Sequence, residues 1–327
     1  MRRSLLSFLT ILAFALLSCQ KDDAHLVPRL SIPLLNTTHY INPKDPPGFS
    51  LAIDIAESGP FAIPERVYLA SIATVYTWAL DGWEHVIPNG TPLLFVELYG
   101  AEFASGTMVQ SEQDRQLQVK YLVLAMIHLM AQMAQKRMWS KSVAAALMYQ
   151  KPIGFVKLGR PSAARNGISI SKKRRDAATI GIHLSSHDTE TQPLALGASK
   201  WFKDPKDHDF VIEYQTKDQR LLCVDFLSTV LYAIATAAQG SEDDYCRDLG
   251  GWNEKRTAIY RIHGLPPGPS TTTLTYGIVR RGLSLLSSTL YDQRSCEREV
   301  TWRFSYRERV VGYGSISASD STDFWNF

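Results

Sequence analysis

Beyond Leu17 the sequence has no long hydrophobic run, so no later stretch has the length and uniform apolarity of a membrane-spanning helix. It also lacks HExxH, P-loop, GxSxG and EF-hand patterns, and its 4 cysteines show no zinc-type pairing. Motifs therefore point to no cofactor, no metal and no catalytic residue. Charge of one sign is not in excess. The formal net charge of +3 argues against a dedicated nucleic-acid binder, which needs a strongly basic face. What is left is globular in composition, with 45% hydrophobic and 20% charged residues. A chain of 327 residues suits one large domain or two small ones.

The N-terminus carries the clearest positive signal. Arg2 and Arg3 precede an apolar run from Leu5 to Leu17, and Ser18, Cys19 and Gln20 follow. This order of basic, apolar and small residues predicts a signal peptide over 1–19 and a secreted, extracellular protein. The run is too short to span a bilayer comfortably. The alternative is lipid attachment at Cys19 in Leu16-Leu17-Ser18-Cys19, where Leu17 fits poorly. Export gives meaning to Asn36-Thr37-Thr38 and Asn89-Gly90-Thr91, so glycans are expected on Asn36 and Asn89.

Periodicity suggests an internal repeat. Val119 to Leu158 reads as helix, strand and return strand, and Thr275 to Ser317 has the same layout. Aligning the helices places Ala125 on Arg281 and His128 on Ser284; one extra residue before the strand places Val143, Leu147 and Tyr149 on Val300, Phe304 and Tyr306. Upstream of each lie a strand, a helix and a second strand. The expected fold is α+β, with two tandem β-α-β-α-β-β units forming two-layer α/β sandwiches. The β-α-β crossovers predict mixed sheets, with parallel pairing beside antiparallel hairpins. The expected organisation is an extended arm over 20–47, a first unit over 48–160, a polar inter-unit segment over 161–208, a second unit over 209–317 and a tail over 318–327. Ala144, Ala146 and Met148 are expected on the outer face of the first sheet, under a cover, because they are apolar where the second unit has Thr301, Arg303 and Ser305.

Taken together, the leader, the YLASIATVYTWAL and TLTYGIVRRGLSLLSSTLYDQ helices and the REVTWRFSYRERVVGYGSI hairpin resemble a group of predicted secreted proteins of filamentous fungi. That resemblance implies an extracellular fungal protein and supplies no catalytic residues.

Candidate chemistry is sparse. Ser186-His187-Asp188, with His183, lies in polar linker, and sequence neighbours rarely have triad geometry. His183, His187, His208 and Asp209 are spaced too irregularly for a metal site. Lys172 to Arg175 is a charge run; Lys173, Arg174 and Arg175 would also suit a processing protease in an exported chain. His128 falls on a less apolar helix stripe and is expected to be solvated, and Asp225, on the equivalent stripe of its helix, is expected to be partly exposed. Strand alternation points Arg261, His263, Arg303 and Arg307 outward on the second sheet, where guanidinium groups would suit an anionic ligand or glycan. Cys246 and Cys296 are expected to form a disulfide, because parallel crossovers would run both helices of a unit in one direction. The function expected is that of a non-catalytic binding or interaction protein. The alternative is a secreted hydrolase with its site in the cleft between the units.

Overall fold

The computed structural model describes residues 38–40, 45–57, 62–88, 94–98, 100–107, 116–159, 199–267 and 272–320. The first half contains β1 (Thr38–Tyr40), β2 (Phe49–Ile55), α1 (Pro64–Ala79), β3 (Leu94–Leu98), β4 (Ala101–Thr107), α2 (Val119–Lys136), β5 (Ser142–Met148) and β6 (Lys151–Gly159). The second contains β7 (Lys200–Asp204), β8 (Asp207–Arg220), α3 (Cys223–Ala237), β9 (Asp248–Trp252), β10 (Ala258–Gly264), α4 (Tyr276–Asp292), β11 (Arg298–Tyr306) and β12 (Arg309–Ala318). The sheets are ordered β1-β2-β5-β6-β4-β3 and β7-β8-β11-β12-β10-β9. The fold class is thus α+β. β7 lies in the expected inter-unit segment, and β4 and β9 are strands that the expected β-α-β-α-β-β unit does not contain. β4 is rich in small residues and β9 holds adjacent glycines, so neither shows the β-branched alternation that marks a strand.

The expectation of mixed sheets is corrected: among the described residues every strand pairing is antiparallel. The physical reason lies in where the hairpins insert. Counting directions across the first sheet, the strands joined through a helix, β2 to β3 and β4 to β5, do point the same way. They are never neighbours, because a hairpin partner always lies between them. The two crossovers also start from strands of opposite direction, so α1 and α2 run oppositely, as do α3 and α4.

The helices lie between the sheets. α1 touches β3 and β4 on one side and α3 and α4 on the other; α3 touches β9 and β10 as well as α1. One core therefore runs from sheet to sheet through both helical layers. This sandwiching explains why α1 and α3 are apolar nearly all round instead of along one stripe. Hydroxyls inside these layers satisfy themselves locally: Ser71 and Thr74 donate to the carbonyls of Val67 and Ala70, and Thr229 and Thr236 to those of Asp225 and Tyr232.

The first sheet has a register one residue from expectation. Ala144 and Ala146 are 0% exposed and, with Met148, face the helices in the main core. Ala52, Ala145 and Leu147 face the other way and form a small buried cluster of their own. The correction follows from the turns. Tyr149-Gln150 and Arg307-Glu308 are matching two-residue hairpin turns with positive φ. Aligning the turns places Ala144 and Ala146 on Trp302 and Phe304, and a slip of one residue exchanges the faces of a strand. The two halves then fill equal space by opposite means. In the first, small strand residues meet Met126, Met130 and Met133 of α2. In the second, Phe304 packs on Gly282 of α4, where a Cβ would lie 2.5 Å from its ring, and the Trp302 ring packs on Gly314 of β12.

Candidate functional site

The outer face of the second sheet is built by alternation. Tyr260, Ile262, Trp302 and Phe304 are buried against the helices, so Arg261, His263 and Arg303 project from the other side. Register then sets one side chain per strand in a single line across all six strands: Trp201, Glu213, Arg303, Tyr313, His263 and Asp248. Gln215, Thr301, Ser315 and Arg261 form the next line. Trp252 lies on the same face, opposite Ile259. Of the sequence-expected binding residues, the sheet brings Arg261, His263 and Arg303 together. Arg307 is placed apart, in the β11–β12 turn, with its guanidinium 5.5 Å from the Tyr306 ring centroid.

Arg303, His263 and Arg307 each have a carboxylate beside them. Arg303 is paired with Glu213, His263 Nδ1 lies 2.6 Å from Asp248 Oδ1, and Arg307 Nε donates to Asp209 Oδ2 at 3.3 Å. The face is therefore not the array of open guanidinium groups that an anion would select.

A second constellation lies among the helices and corrects the expectations that His128 is solvated and Asp225 partly exposed. Both are buried. His128 Nε2 on α2 lies 3.0 Å from Asp45 Oδ2, and both side chains are under one-tenth exposed. Glu254, from the β9–β10 turn, stands at the surface end of this group; crowding by protein raises its carboxyl above the ordinary value, with His128 and Lys255 acting against the rise. The Tyr68 hydroxyl shares a hydrogen bond with Ser228, and burial raises its pKa despite that bond. The two halves of the chain both contribute groups here. Nothing in the sequence marks Asp45, in its proline-rich arm, as a partner of His128.

The second half uses the same device. Arg281 on α4 pairs with Asp204, and with Asp207 at 3.1 Å, at the β7–β8 turn. Its neighbour Arg280 is 1% exposed and donates through Nη1 to the Gly240 carbonyl just past the end of α3, a favourable place for a cation. Burial lowers its pKa. Its Nε and Nη2 have no hydrogen-bond partner among the described residues.

The disulfide expectation is corrected too. Cys223 bonds to Cys296, with Cα atoms 4.8 Å apart, and Cys246 is free and buried. Because α3 and α4 run oppositely, the start of α3 meets the end of α4; Leu221 N bonds Glu297 O beside the bridge. Cys246 sits at the far end, its amide donating to the Leu274 carbonyl. Burial and then Asp248 push the Cys246 thiol up from 9.0 to about 11. A folded value above the unfolded one contributes stability that is complete below pH 9 and is lost as pH rises towards 11. Native Cys246 should accordingly resist alkylation at pH 8, and peptide mapping should find it labelled only after denaturation. Rapid labelling of the native protein would contradict its placement.

Asn36, Asn89, Lys173, Arg174, Arg175, His183, Ser186, His187 and Asp188 lie outside the described residues. Among the described residues no group of His, Cys, Asp or Glu could hold a metal, and no helix is long and apolar enough to cross a membrane. No family model, no curated protein and no solved structure matches this chain.

Proposed function

We propose that this chain is an extracellular, non-catalytic binding protein, built of tandem copies of one ββαββαββ unit, that presents the outer face of its second sheet to a ligand. The tandem reading is supported by the equal strand orders and by matching backbone contacts. Ile87 N donates to Leu117 O as Cys246 N does to Leu274 O, and Val119 N to His85 O as Tyr276 N does to Asp244 O. The leader supports export, and the Cys223–Cys296 bridge fits an oxidising compartment.

The observation that carries the binding role is the contrast between outer faces. The first sheet covers its small apolar residues. The second leaves Trp201 and Trp252 66% and 47% exposed, flanking an array of paired charges. Tryptophan is enriched at contact surfaces, and two of them stand in water on this one face.

A hydrolase reading is favoured by one observation only, the raised Glu254 carboxyl beside the buried His128–Asp45 pair. A panel of ester, peptide and glycoside substrates separates the two. The expected result is no turnover. Turnover that Glu254→Gln abolishes while the fold is kept would replace the binding reading.

A further inference from the structure

Resting on that reading of the face, we infer that the ligand of the second sheet is a neutral polyhydroxyl chain, an uncharged polysaccharide lying across the strands. Charge complementarity comes first. Arg303 is held by Glu213 and His263 by Asp248, on the same line across the sheet. Along that line a polyanion would meet the carboxylates and a polycation would meet Arg303, so there either would have to break a pair to gain one. An uncharged hydroxyl needs neither. It both donates and accepts, and a guanidinium beside a carboxylate offers donors and acceptors together.

The aromatics supply the second argument. Trp201 is on edge strand β7 and Trp252 on the opposite edge strand β9, on the same face. At 4.7–4.9 Å per strand the edges stand roughly 24 Å apart. Exposed indoles at both ends of such a span suit a long ligand with apolar C–H faces, which a sugar ring presents and an ion does not. Between them the second line is low, with Thr301 and Ser315 in its middle. An open sheet face fits an extended chain better than a compact molecule, which needs a concave pocket.

The test is co-sedimentation of the full chain with insoluble cellulose, chitin and a linear β-1,3-glucan, beside an anionic polymer, pectate. Retention by at least one neutral polymer is expected, and it should persist in 1 M salt, where exposed charge contacts are screened. Trp201→Ala with Trp252→Ala should reduce retention at least tenfold with an unchanged melting temperature, since both side chains lie outside the core. Retention by none of the three neutral polymers overturns the inference. So does retention by pectate alone that salt abolishes; if Arg303→Ala also abolishes that retention, the face still binds and only the ligand class is wrong. Neutral-polymer retention that neither the tryptophan pair nor Arg303→Ala alters overturns both readings.

Discussion

Replacing Cys223 and Cys296 together by serine lowers the melting temperature by on the order of 10 °C, the expected result of losing about 4 kcal/mol. The bridge closes a loop with a sequence separation of 73 residues. That loop takes in α3, β9, β10 and α4, nearly the whole second helical layer. Opening it returns freedom to the unfolded chain in proportion to the logarithm of loop length, which is why so long a loop gives a large effect. The folded state changes little, because the ends of β8 and β11 remain paired through Arg220 and Arg298. Reduction of the wild-type protein should reproduce the shift. Cys246→Ser should leave the bridge intact, as non-reducing peptide mapping would confirm. An unchanged melting temperature in the double variant, or a mapped Cys246–Cys296 peptide, would contradict both the bridge and the opposed helix directions.

His128→Leu costs about 3–5 kcal/mol at neutral pH, whereas Asp45→Ala costs less. The asymmetry comes from what each change leaves behind. His128→Leu strands a carboxylate that is 5% exposed, and a buried charge without a partner is among the costliest defects a fold can carry. Asp45→Ala leaves an imidazole, which can remain neutral and forfeits one hydrogen bond, about 1–3 kcal/mol for an unsatisfied group. The double variant should therefore be more stable than His128→Leu alone, a non-additivity that identifies a direct pair. Chemical denaturation of the three variants at pH 7 measures all of this. Additive losses would mean that Asp45 and His128 do not act as a pair.

Much that is local was legible without the fold. The four helices appear where apolar spacing places them, because helix formation depends on side chains three and four residues apart. Phe49, Leu51, Ile53 and Ile55 share one face in the alternation and share the core in the structure. The outward direction of Arg261, His263 and Arg303 follows from the same period of two. Errors began where one residue of alignment mattered. The hairpin turns, with positive φ at Tyr149 and Gln150, set the face of β5, and nothing in its run of small residues could.

The sequence by itself therefore determined the four helices, the α+β class and the outward direction of Arg261, His263 and Arg303, since each depends on spacing within one segment. Only the tertiary structure decided that hairpin partners separate the crossover strands, that Cys223 and not Cys246 meets Cys296, that Asp45 pairs with His128, and that Glu213 stands beside Arg303 and Asp248 beside His263. Those contacts join residues far apart in the chain. Strand order brings them together, and strand order is chosen by the burial of the whole core, which no single stretch of sequence encodes.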